Sequence, residues 1–80
     1  YKRQRIKGTL EPLYDWFDEA TVTQISDAEY DVHIVANERA TLWWALQYAD
    51  SHFIEILEPQ SLRTMLHDTG QSLTQMYQEP

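Results

Sequence analysis

An α+β fold is predicted, with four antiparallel strands, two helices on one face and a third helix at the C-terminal side, and three observations predict it. Apolar residues recur at helical spacing over 10–20, over 38–50 and from 59 onward. Segments 2–8, 21–26, 30–36 and 53–57 instead alternate or are rich in β-branched residues. The resulting order, strand, helix, strand, strand, helix, strand, helix, fits a split βαβ arrangement with right-handed crossovers, a ferredoxin-like βαββαβ sandwich with an additional helix.

Each element has a local reason. In "KRQRIKG", a weak strand by propensity, Arg3, Arg5 and Lys7 fall on one face and Gln4 and Ile6 on the other. Thr9 is the expected N-cap of a helix over 10–20, whose first turn holds Glu11 and Pro12 and whose apolar side is Leu13, Trp16, Phe17 and Ala20. "TVTQIS" and "YDVHIVA" form a hairpin about the turn "DAE". In its second strand Tyr30, Val32, Ile34 and Ala36 face the helices, and Asp31 and His33 face away. Asn37 caps a helix over 38–50 with a stripe of Leu42, Ala45, Leu46 and Ala49. The last strand puts Ile54 and Ile56 on one face. From Pro59 a final helix carries Leu62, Met65, Leu66, Leu73, Met76 and Tyr77, with Gly70 as a place where it bends or loosens.

Eighty residues make a single domain that buries only about 60% of its unfolded surface, so a partner surface would help it. Its first residue, Tyr1, is not methionine, which points to a segment cut from a longer protein. With no cysteine there is no disulfide framework and no thiolate metal site, and a reducing compartment is compatible. No apolar run reaches the roughly 18 residues of a membrane span, and no signal peptide is seen. The net charge of −7 is uneven: Lys2, Arg3, Arg5 and Lys7 are four of the six basic residues, so an acidic body follows a basic leading strand. Such a body disfavours broad nonspecific binding to a polyanion but leaves room for a phosphate at the basic strand.

The stretch "FIEILEPQSLRTML" passes from strand to helix without a loop. Pro59 has a preset φ and lacks the N–H that a first turn leaves unpaired, and Glu58 brings negative charge to the helix's positive end. "IEILEPQSLR" resembles the "VEVLEPxxLR" stretch of bacterial WYL-domain transcriptional regulators, in their C-terminal extension or WCX domain. "LWWALQYAD" is similar to that family's "LLRWLLSFGxD" helix, and "YDVHIVANE" to the strand before it. Residues 30–77 carry this resemblance, and 1–29 match in element order. Ala49 stands where the family often has glycine, two or three residues are added before the last strand, and Trp43 takes a commonly polar position.

The resemblance implies a noncatalytic, cytoplasmic regulatory and oligomerisation domain that contributes to effector sensing. Its partner would be a second copy, or the WYL domain of its own or a neighbouring chain. Duplex DNA would be bound only by an N-terminal winged helix absent from this segment, which has no recognition helix or basic helical stripe. The effector would be a nucleotide or single-stranded nucleic acid. Two other classes use the same element order, a stand-alone ACT-like small-molecule sensor and a ferredoxin-like dimeric enzyme.

Candidate residues carry paired readings. Arg3, Arg5 and Lys7 form either a charged strand edge or linker end, or a contact for phosphate or an acidic partner. Arg63 pairs with Glu58 or with carbonyls at a strand end, or else holds a ligand anion in its planar fork. Trp16 and Trp44 belong in or beside the core. Trp43, on the side of Ala40 and Gln47, either points outward and, with Tyr48, is the candidate interface, or packs as a buried ring. His33, His52 and His67 are too scattered for a metal site, no nucleophile motif is seen, and no cofactor is expected.

Overall fold

A computed structural model describes residues 1–79. The elements are β1 (Lys2–Lys7), α1 (Glu11–Trp16), β2 (Ala20–Ser26), β3 (Glu29–Ile34), α2 (Glu38–Gln47), β4 (Phe53–Glu58) and α3 (Gln60–Met76). The strands form one antiparallel sheet in the order β2-β3-β1-β4. This is an α+β fold, compatible with a ferredoxin-like one.

One face of the sheet meets the helices. Alternation puts Ile6, Val32, Ile34 and Ile56 on that face, where Leu13 from α1, Leu42, Trp44 and Ala45 from α2 and Leu62 from α3 close the core. Each fully buried aliphatic side chain contributes about 1.5–3 kcal/mol. The Trp44 indole N–H donates to the Pro12 carbonyl at 2.9 Å, so burial of this large ring leaves no unpaired donor. Phe17 meets the same ring edge-on at 5.1 Å.

Asn37 caps α2 as expected, its Oδ1 accepting from the Ala40 N–H at 2.7 Å. Thr9 Oγ1 accepts from the Glu11 N–H at 3.1 Å, but Leu10 is the residue at the N-cap itself. Gly8, with φ +91°, turns the chain out of β1 in a conformation that other residues rarely adopt.

Several expectations are corrected. The first helix ends at Trp16 instead of reaching residue 20, because Phe17 is already extended and Asp15, Asp18 and Glu19 crowd the negative end of the helix with no cation to offset them. Trp16 is therefore turned out of the core, and Phe17 takes the place against Trp44. The second helix stops at Gln47 rather than residue 50 and gives way to turns about Tyr48. The third strand ends at Ile34, where β1 supplies its last partner in Lys2, and Val35 is exposed. Pro59 is the N-cap of α3, with ψ 164°, rather than its first turn. Helix α3 is not interrupted at Gly70 and runs from Gln60 to Met76.

The basic strand β1 is internal, hydrogen-bonded to β3 on one side and β4 on the other, and so is neither a sheet edge nor a frayed linker end. The edges are β2 and β4.

Candidate functional site

Three of the four candidate basic residues share the face of the sheet that no helix covers. Cross-strand register sets Arg3 beside His33 and Glu58, Arg5 beside Asp31 and Glu55, and Lys7 beside Glu29 and Phe53. Three cations from the central strand thus stand among four carboxylates from its two neighbours.

Most of this charge is matched internally. The Arg3 Nε donates to Asp31 Oδ1 at 3.1 Å, and its Nη1 to Glu58 Oε1 at 3.2 Å. The Lys7 ammonium lies 3.5 Å from Glu29 Oε1 and 4.4 Å from the Phe53 ring centre, a cation–π contact. The hydrogen bond from Arg3, followed by the attraction of its charge, holds the Asp31 carboxyl below the ordinary aspartate range against the opposing effect of burial. The hydrogen bond with Asp31 in turn raises Arg3 above its ordinary value. Arg5 differs: among the described residues its buried Nε finds no hydrogen-bond partner and the side chain makes no ion pair. Of the three cations on this face it is the one with neither an ion pair nor a side-chain hydrogen bond among the described residues.

Arg63 is elsewhere. It rises from the first turn of α3 and donates from Nη1 to the Ile56 carbonyl at 2.6 Å, with Glu55 Oε2 at 3.6 Å. The expected partner Glu58 is bound by Arg3 instead, and the strand carbonyl expected as the other possibility is the one used. Arg63 and Leu66 border an open groove of about 460 Å³ between α2, β4 and α3, floored by Ala45, Ala49, Ile54 and Ile56.

The two interface candidates separate as well. Trp43 is 59% exposed, on the outer side of α2 as its helical angle predicts, whereas its neighbour Trp44 is fully buried. Tyr48 is half-buried against the core, its ring edge-on to His52 at 5.5 Å.

Two further features depart from what the sequence suggests. Gln4 is wholly buried: its amide donates to the Lys2 carbonyl at 3.2 Å, and its Oε1 has no partner among the described residues. Its alternation with Ile6 could have pointed to burial, but a polar side chain between two cations suggests solvent. The outer part of α3 was also missed as a surface. Leu73 is 46%, Met76 68% and Tyr77 73% exposed, although all three continue the stripe that buries Leu62.

Among the described residues no helix is long and apolar enough to cross a membrane, and no group of three or more histidine or carboxylate side chains is placed to hold a metal ion. Compared with protein-family models, curated proteins and solved structures, the chain matches none.

Proposed function

We propose that this chain is a noncatalytic regulatory and assembly domain, the WCX part of a WYL-type transcriptional regulator, with ferredoxin-like strand order and an added C-terminal helix. The observation that carries the assembly role is apolar surface left open on an acidic chain, at Trp43 and at the outer turns of α3. Surface of this kind marks a place where another chain sits. The resemblance of "IEILEPQSLR" supplies the family, and the direct passage from β4 through Pro59 into α3 is consistent with it.

Effector sensing rests on the uncovered sheet face. With Arg3 and Lys7 already paired, Arg5 is the residue on which a phosphate of a nucleotide or single-stranded nucleic acid would rest. Glu29, Asp31, Glu55 and Glu58 restrict such a contact to a single group and disfavour a long polyanion. The groove bordered by Arg63 favours a second reading, an ACT-like sensor whose small apolar ligand carries one anionic group.

Titration calorimetry with nucleoside phosphates, short single-stranded oligonucleotides and small aromatic carboxylates separates these. Phosphate-dependent binding weakened by Arg5→Gln supports the sheet-face reading, and carboxylate binding lost in Arg63→Gln supports the groove. Sedimentation from micromolar to millimolar concentration tests assembly: a strict monomer throughout, also in mixture with a WYL domain, would remove that role.

A further inference from the structure

We infer that the chain pairs with a second copy of itself through α3, the two helices running antiparallel and crossing at Gly70. This deepens the assembly role proposed above and rests on it, naming the partner and the surface.

The helix carries one apolar stripe along its whole length. At about 100° per residue, Met65, Leu66, Leu73, Met76 and Tyr77 all lie within about 60° of Leu62. The domain covers only the first part: Leu62 is fully buried and Met65 and Leu66 are half-buried, but from Leu73 onward the stripe is exposed. The protein is correspondingly long, 43 × 25 × 20 Å.

A second copy fits because one flank of α3 is self-complementary. Arg63, Gly70 and Tyr77 recur every seventh residue, so they line one side of the helix over about 21 Å. A two-fold axis through Gly70 puts Arg63 of one copy against Tyr77 of the other at both ends, and Leu66 against Leu73 between them. A guanidinium over a phenol ring is a favourable cation–π contact. The charges agree with the same arrangement. The last turn of α3 contains no basic residue, so the negative end of the helix is uncompensated, and antiparallel pairing brings it beside Arg63 of the second copy. The α3 segment is also where self-repulsion is weak, since Asp68 and Arg63 are the only charged carboxylate and cation within it, on a chain of net charge −7.

Gly70 gives an independent reason. A glycine inside an exposed helix weakens it, yet among the described residues nothing lies within 4 Å of a Cβ placed there. The isolated domain therefore has no packing use for this glycine. A backbone crossing at that point does, because it lets two helices approach without side chains between them. The Arg63-bordered groove lies on the same flank, where it receives Leu73 of the second copy.

The absence of cysteine makes the geometry directly testable. A disulfide requires Cα atoms within about 7 Å. Gly70→Cys should therefore link to itself under mild oxidation, separately prepared Arg63→Cys and Tyr77→Cys chains should link to one another when mixed, and Tyr77→Cys alone should not link. Gly70→Gln should raise the thermal midpoint of the dilute monomer while weakening association. Leu73→Glu, at an exposed position, should keep the monomer's circular dichroism and weaken association about tenfold or more. Self-linkage by Tyr77→Cys, or a dimer in which Gly70→Cys stays unlinked, overturns the proposal. If association survives Leu73→Glu but is lost in Trp43→Ala, this pairing falls while the assembly role stands. A chain that stays monomeric at every concentration and meets no WYL domain removes both.

Discussion

The uncovered sheet face and the outer turns of α3 are both open to solvent, and they solve the problem of exposure in opposite ways. On the sheet, charged residues of β1 find opposite charges on β3 and β4, so the surface is largely satisfied by its own neighbours. On α3, Leu73, Met76 and Tyr77 are left exposed by the described residues. A run of like charge in a sequence need not signal a ligand, because a sheet can supply the counter-charges from distant residues. A run of apolar residues that outlasts its core has no such internal remedy.

The sharpest way to test this contrast is along α3 itself. Leu62→Ala should destabilise the monomer by about 2–5 kcal/mol in denaturant unfolding, since it opens a hole in the core. Leu73→Ala, on the same stripe, should cost within about 0.5 kcal/mol in a dilute sample. Equal losses would mean that the outer helix already packs within the single domain.

A smaller effect is expected on the sheet. Asp31→Asn removes the charge that Arg3 holds and should cost no more than about 1 kcal/mol, because the pair is partly open to water. The acid limb of the stability curve reports the same pair. Asp31 titrates below its unfolded value of about 3.9, so its contribution is complete above that range and is lost as the pH falls through the lowered folded value. Asp31→Asn should therefore flatten part of the acid limb and leave stability between neutral and mildly acidic pH unchanged in slope. The α3 stripe has no carboxylate, and association should not follow that limb.

Salt gives the finest distinction. Raising it should slightly weaken the Arg3 and Lys7 pairs by screening. A salt such as sulfate should at the same time strengthen association through α3, because apolar burial is favoured when the salt is excluded from the surface. Along a sulfate series association measured by sedimentation should therefore rise, while the stability difference between the parent and Asp31→Asn should shrink.

Much of this architecture was legible from periodicity. The seven elements and their order follow from the spacing of apolar residues, and Asn37 and the Pro59 junction mark two helix starts to within a residue. Trp43 and Trp44 could be told apart because adjacent helical residues point 100° away from one another. Trp16 could not be placed, since its position depends on where α1 stops, and that is set by the acids following it as much as by its apolar spacing. The meaning of β1 was hidden for a different reason. Its partners Asp31, Glu55 and Glu58 lie more than twenty residues away in sequence, so the four basic residues read as a patch until pairing brought the acids alongside. Gln4 and the bare end of α3 were likewise set by what the fold places, or fails to place, beside them.

The two outer strands of the sheet are not equivalent, and Arg63 is the reason. Its guanidinium plugs the Ile56 carbonyl of β4, and Glu55 and Glu58 add charge along the same strand, so an incoming strand would meet both an occupied acceptor and repulsion. At the opposite margin β2 reads "ATVTQIS", seven residues with no charge and no proline, five of them exposed. The sheet therefore has a sealed border and a receptive one. During synthesis or partial unfolding, misassembly would begin at the threonine-rich border, where backbone donors and acceptors are offered to any extended chain that passes.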